Sequence, residues 1–194
     1  MVFDWSDFYT AQSGRGVRPT FTSGLEAWQG DRPGDAIDLG CGDGIETLRL
    51  AENGWHVVAI DADPDVEKRV GATVGAELAD RVEVRCAAFE SLGALPESDF
   101  VYAGFALPFC DAGHFPYLWA DLRDALRPGA VFAGQLFGPH DEWYGRPGMN
   151  FHDRAGVEAM LTGLDVVELA EEDRRGMSFE GPKHWHVFHI VARA

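Results

Sequence analysis

The sequence predicts a three-layer α/β domain with a Rossmann-like, doubly wound sheet of seven strands, mostly parallel with an antiparallel last strand. Three observations carry this. Apolar runs of strand length alternate with helix-period stretches from residue 34 onward, and the first run ends in a glycine-rich turn. The last two strand-like runs have no helical stretch between them. At 194 residues the chain suffices for one domain of ordinary size: residues 34–194 as the α/β body, and 1–33 as an N-terminal lid or cap.

The first strand is Asp35 to Leu39, an apolar run entering the turn. Ile45, Leu48 and Ala51 then share a helical face, with Gly54 as a C-cap, and Trp55 to Ile60 is the second strand. Asp63-Pro64 starts a helix carrying Val66, Val70, Val74 and Leu78 at i, i+4 spacing. Val82 to Cys86 and Phe100 to Phe105 are strands three and four. A helix with Tyr117, Leu118, Leu122 and Leu126 leads to the turn Arg127-Pro128-Gly129, and Val131 to Phe137 is strand five. Residues 153–163 read as helix, 164–170 and 185–192 as strands, the last antiparallel because no crossover helix precedes it. Residues 1–33, with Gly14, Gly16, Pro19, Gly24 and Gly30 among them, break the alternation and read as partly helical.

Composition narrows the function. Sixteen Lys and Arg face 32 Asp and Glu, a net charge of −16, which repels phosphate backbones and argues against a nucleic-acid partner. No apolar run reaches the ~20 residues of a membrane span, and the first residues lack the pattern of a secretion signal. Three widely spaced cysteines, Cys41, Cys86 and Cys110, fit a reducing compartment, so a cytoplasmic protein is expected.

The turn Asp38-Leu39-Gly40-Cys41-Gly42-Asp43-Gly44 follows the first strand, where open parallel sheets bind ligands. A dinucleotide fingerprint needs glycine at 45, where Ile45 stands, which weakens a nicotinamide-dependent oxidoreductase reading. Asp61 ends the second strand, placed to take both hydroxyls of a ribose. Asp43 inside the turn repels a diphosphate yet tolerates a ligand bearing a sulfonium and an ammonium. That combination points to S-adenosylmethionine.

The strings DLGCGDG, AID and LRPG resemble the successive motifs of class I S-adenosylmethionine-dependent methyltransferases. More specific strings, YAGFALPFC (102–110), FAGQLFG (132–138), MNFHDR (149–154) and GPKHWHVFHIVAR (181–193), resemble the bacterial tellurite-resistance-type (TehB-like) methyltransferase group. The resemblance implies that Asp38, Gly40, Cys41, Gly42 and Gly104 surround the methionine part. It implies that Asp61 binds the ribose and that Ala62, Ala88, Phe89 and Glu90 border the adenine. Many relatives carry aspartate where Ala88 stands, so Glu90 or water takes over that contact. The product would be S-adenosylhomocysteine.

For the acceptor, Phe105 in the apolar string after strand four gives a dry wall and lacks the polar residue of nucleobase-amine methyltransferases. The loop 138–152 should lie over the ligand mouth, offering Trp143 and His140, the latter as a candidate base for a hydroxyl or ammonium. His184 and Trp185 should frame the acceptor, while Tyr9, Arg15 and Arg18 in the lid could hold an anionic one. His184 and His186 share a strand face, but no Cys or carboxylate stands at matching spacing, so no metal site is expected. The expected activity is methyl transfer to a small molecule by proximity and desolvation. The alternative is a cofactor-binding protein without transfer. The attacking atom and the choice between monomer and homodimer stay open.

Overall fold

The structure, a computed structural model, describes residues 14–194. The seven strands are β1 Asp35–Leu39, β2 His56–Asp61, β3 Val82–Cys86, β4 Ser98–Ala103, β5 Leu126–Phe137, β6 Asp165–Ser178 and β7 Gly181–Arg193. They form one sheet in the order β3-β2-β1-β4-β5-β7-β6. The neighbours from β3 through to β5 pair in parallel, while β7 runs antiparallel to both β5 and β6, as expected for strands joined without a helix. No helix among the described residues is long and apolar enough to cross a membrane.

Alternate side chains of each central strand feed opposite layers. Phe100 and Tyr102 of β4 join one core, whereas Val101 and Ala103 join the other. The first core is closed by α1 (Pro19–Ala27) and α2 (Ile45–Glu52), with α3 (Val66–Val74) over Ala59 beside them. The second is closed by α4 (Phe115–Ala125) and α5 (Arg154–Met160). Within the expected lid, α1 therefore belongs to the layered body. Its Phe21 is 1% exposed and meets the Tyr102 and Phe100 rings edge-on at 5.1 and 6.0 Å. Truncating such a buried ring costs about 3–5 kcal/mol.

Several boundaries differ from the periodicity reading, each for a local reason. α3 stops at Val74, short of Leu78, because Gly75 takes φ +75°. β4 ends at Ala103, since the Phe105 backbone turns to φ +57° and gives its N–H to the Gln135 side chain at 3.0 Å. α5 begins one residue later than expected because the Asp153 carboxylate caps it, accepting from the Gly156 N–H at 2.8 Å.

The largest difference is the final hairpin. β5 pairs with β7 only as far as Phe137 opposite Val187, but β6 and β7 continue together to Ser178 opposite Gly181. The distal half of the hairpin thus leaves the sheet, backed on one side by the 138–152 loop. Asp141 and Lys183, both buried, join these two segments by an ion pair of 2.6 Å. Asp141 also accepts from the backbone N–H groups of Trp143 and His186, and the Lys183 ammonium lies over the Trp143 and Trp185 rings at 3.4 and 3.9 Å. Lys183→Met leaves Asp141 as an uncompensated buried charge, so urea unfolding should show a loss of roughly 3–5 kcal/mol, recovered only in part when Asp141→Leu is added, because the Trp143 and His186 N–H groups then lose their acceptor. A single variant within about 1 kcal/mol of the parent would mean the pair fastens nothing.

Candidate active site

A cavity of about 650 Å³ opens at the carboxyl ends of the parallel strands, across the point between β1 and β4 where the strand order reverses. Its first half is the glycine turn and the ends of β2 and β3. Gly40, Cys41 and Gly42 line it with Asp61 and Ala62, and Ala88, Phe89 and Glu90 close the side beyond β3. Gly40 takes φ +72° and passes so near Ala106 that a Cβ on Gly40 would stand 2.2 Å from the alanine methyl carbon. Only glycine serves there.

The turn is held by its neighbouring acid. Asp61 accepts from the Gly42 N–H at 2.9 Å with one oxygen and from the Asp63 N–H at 3.0 Å with the other. The carboxylates of Asp43 and Asp63 share Arg69, at 3.4 and 2.6 Å. Asp38 does not reach the wall. It lies beneath the turn, 1% exposed, and accepts from the Thr47 hydroxyl at 2.6 Å. Burial, with Glu46 nearby, pushes its carboxyl up to about 7 against the opposing Thr47 bond. Burial likewise drives the Cys41 thiol well above its ordinary value, leaving it a packing group.

The second half of the cavity is aromatic. Gly104 and Phe105 lead into it, and Phe109, Phe137, Trp143 and Trp185 form its walls, with Met177 and Phe179 from the hairpin tip. Two arginines lie above the junction of the halves. Arg15 is taken by Glu46, a bidentate pair at 2.5 and 2.6 Å, and the Arg18 N–H bonds the same carboxylate. The Arg18 guanidinium instead lies over the Phe105 ring at 4.7 Å, with no carboxylate paired to it among the described residues. Burial, with Arg15 beside it, lowers its pKa.

Residues 36–129 match the family model described as a methyltransferase domain. Hemagglutinin 1 of Eikenella corrodens is 32% identical over 116 residues, covering 59% of this chain and 38% of that protein. Among solved structures, TehB from Haemophilus influenzae superposes with a TM-score of 0.77 at 13% identity, over 96% of this chain and 66% of that one. The 1,6-didemethyltoxoflavin-N1-methyltransferase of Burkholderia thailandensis, solved with its substrate and S-adenosylhomocysteine, gives 0.66 at 17% identity, over 95% and 80%. The fold is that of the S-adenosylmethionine-dependent methyltransferases.

Most of the sequence-derived site residues meet at the one cavity, but three do not, and Tyr9 lies outside the described residues. Asp38 is beneath the turn, as above. His140 is 66% exposed and points away from the wall, its Nδ1 on Asp173 at 2.8 Å. His184 bonds the same carboxylate from the other side. Neither histidine frames the acceptor half, because the strand twist and the loop's anchoring at Asp141 turn that face of the hairpin outward. Sequence reasoning missed Glu172 and Arg174, which do line the cavity. Their stretch, EEDRRGMS, has no apolar alternation to mark it as strand.

The close approach at Gly40 gives a direct test. Gly129→Ala places a Cβ in open space at φ +82°, so only backbone strain of about 1–2 kcal/mol is expected. Gly40→Ala adds the clash with Ala106 and should lose at least about 2 kcal/mol more in thermal unfolding. Equal losses would show that the two loops move apart freely.

Proposed function

We propose that this domain binds S-adenosylmethionine in the glycine-turn half of the cavity and moves its methyl group to a flat, largely apolar small molecule in the aromatic half. The observation that carries this is the single cavity with two chemically distinct halves joined at Gly104 and Phe105. The donor set of the first half fits a nucleoside with a cationic end. Four carboxylates, Asp38, Asp43, Asp61 and Asp63, stand in or against the turn, with Arg69 paired to two of them, and Asp61 stands at the end of β2 for the ribose hydroxyls. Ala62, Ala88 and Phe89 make a slot for the adenine, with Glu90 as the acceptor that Ala88 lacks. When bound, the cofactor supplies an activated methyl group for in-line displacement.

The chain's own residues do the rest. The aromatic walls exclude water and hold a planar acceptor by its faces. Segment 14–18, fastened by Glu46, covers both ligands, and Arg18 receives an anionic edge of the acceptor. Glu172, in place of His140, takes the acceptor's proton. One carboxylate oxygen is held by Arg174 at 3.0 Å and the other by His189 Nε2 at 3.5 Å, while the Thr20 hydroxyl contacts His189 Nδ1 at 3.2 Å. That arrangement orients the carboxylate from behind. The net charge of −16 fits a small-molecule acceptor rather than a phosphate-rich one.

Calorimetric titration tests the cofactor half: micromolar binding of S-adenosylmethionine and S-adenosylhomocysteine is expected, and none of NADH. Asp61→Ala should weaken the first two by roughly 1.5–3 kcal/mol, and unchanged affinity removes the ribose assignment.

For the acceptor half, a screen of phenols and aromatic acids with labelled cofactor is the measurement. With an acceptor found there, Glu172→Gln should lower kcat about 100-fold and flatten the acidic limb of the pH profile while cofactor affinity stays constant. A full-rate variant across pH excludes Glu172 as the base. Binding of the cofactor with no turnover of any acceptor would favour a binding protein.

A further inference from the structure

We propose that the outer face of the hairpin is a site for a divalent transition metal ion of the zinc type, with His140, Asp173 and His186 as ligands. The three come from different segments: His140 from the 138–152 loop, Asp173 from β6 and His186 directly opposite it on β7. One donor atom from each lies within 4.8 Å of the other two. Sequence spacing hides the set, because the carboxylate faces the histidine across a strand pair and the third ligand arrives from a loop.

The donors are prepared for a metal. The His140 backbone N–H donates to His186 Nδ1 at 3.1 Å, and His186 Nε2 meets a Glu171 carboxylate oxygen at 2.9 Å. That puts the proton on Nε2 and the lone pair on Nδ1, where it accepts from the His140 N–H; a metal ion takes this lone pair by displacing that bond, beside the His140 ring stacked at 4.7 Å. A carboxylate holding the far nitrogen of a histidine is the arrangement that orients a ligand and raises its basicity. Asp173 is held in the same way, since one oxygen meets His184 Nε2 at 2.5 Å and the other meets His140 Nδ1 at 2.8 Å. His186 is 2% exposed, while His140 and Asp173 are open to solvent, so the site has a fixed floor and an accessible mouth.

Two imidazoles and one carboxylate select zinc, nickel or copper over magnesium or calcium, which prefer all-oxygen shells. A net charge of −16 raises the local concentration of any cation. The site is distinct from the cavity. Side chains alternate along β6, so Asp173 faces outward where its neighbour Glu172 lines the cavity. A bound ion therefore clips the 138–152 loop to the hairpin, two segments that carry acceptor walls, without touching either ligand.

The test is calorimetric titration of zinc chloride into untagged protein carrying Cys86→Ser, which removes the exposed thiol as a competing ligand. One ion per chain with micromolar affinity is expected at pH 7.5, with a rise in Tm on saturation. Cobalt should give a visible absorption band of the intensity of a low-coordinate site. His140→Ala and Asp173→Asn alter exposed side chains and should each weaken zinc by at least tenfold while the metal-free Tm stays near that of the parent. Absence of zinc binding overturns the proposal, and so does one-to-one binding that survives the combined His140→Ala, Asp173→Asn variant. Cofactor affinity is read in the same samples. Its loss or retention speaks to the methyltransferase reading and leaves the metal result standing on its own.

Discussion

The reversal of strand order between β1 and β4 is the constraint on which the rest of the structure rests. The chain leaves β1 toward α2 on one face of the sheet and reaches α4 on the other after β4, so no helix can cover both strand ends. A crevice is the geometric consequence. Its two lips touch at Gly40 and Ala106, where the absence of one Cβ lets the turn come down onto the β4 loop. Asp61 then ties that turn to the end of β2 through the Gly42 N–H. The floor of the cavity is thus made by backbone pairing and fixed before any acceptor-specific residue is considered.

Electrostatics divides the labour above that floor. In so acidic a chain each buried carboxylate needs a partner, and Glu46, buried at the start of α2, takes Arg15 through both guanidinium nitrogens. A second arginine three residues later is then left to face the cavity, supported by the Phe105 ring and not by an acid. The two arginines look equivalent in sequence. Burial makes one a rivet and leaves the other lining the cavity. Asp38 follows the same logic in reverse: it lacks a direct cationic partner, and burial raises its carboxyl to about 7.

What the sequence shows plainly is whatever periodicity records. Of the parallel strands, β1, β2, β4 and β5 bury residues on both faces, so their apolar runs stand out, and the glycine turn followed by Asp61 marks the binding end of the sheet. Fourteen of the residues read as site residues line the one cavity for that reason. The distal hairpin was illegible because its residues 171–178 are mostly exposed and carry no alternating apolar signal. With its extent unknown, Glu172 could not be placed, and the outward turn of His140 and His184 could not be foreseen. α1 is faint in sequence for a related cause: beside Phe21, the residues it buries at helical spacing are Thr20, Gly24 and Ala27, small side chains that carry little apolar signal.

The two halves of the site are therefore held by different forces. The cofactor half is built on parallel ladders whose register is set by the whole sheet. The aromatic half adds to the strand-end residues Phe105, Phe109 and Phe137 a loop and a hairpin extension that touch the sheet only at their roots, joined to each other through Asp141, Lys183 and the aromatic rings around them. Regions with few backbone ties open at lower free energy than the core. The outer wall of the aromatic half is therefore the part of the cavity with the least backbone support, while the glycine turn is tied into the sheet. The buried ion pair between loop and hairpin compensates: it joins the two segments beyond the end of the β5–β7 ladder, and the Phe137, Trp143 and Trp185 rings shield the ammonium from water.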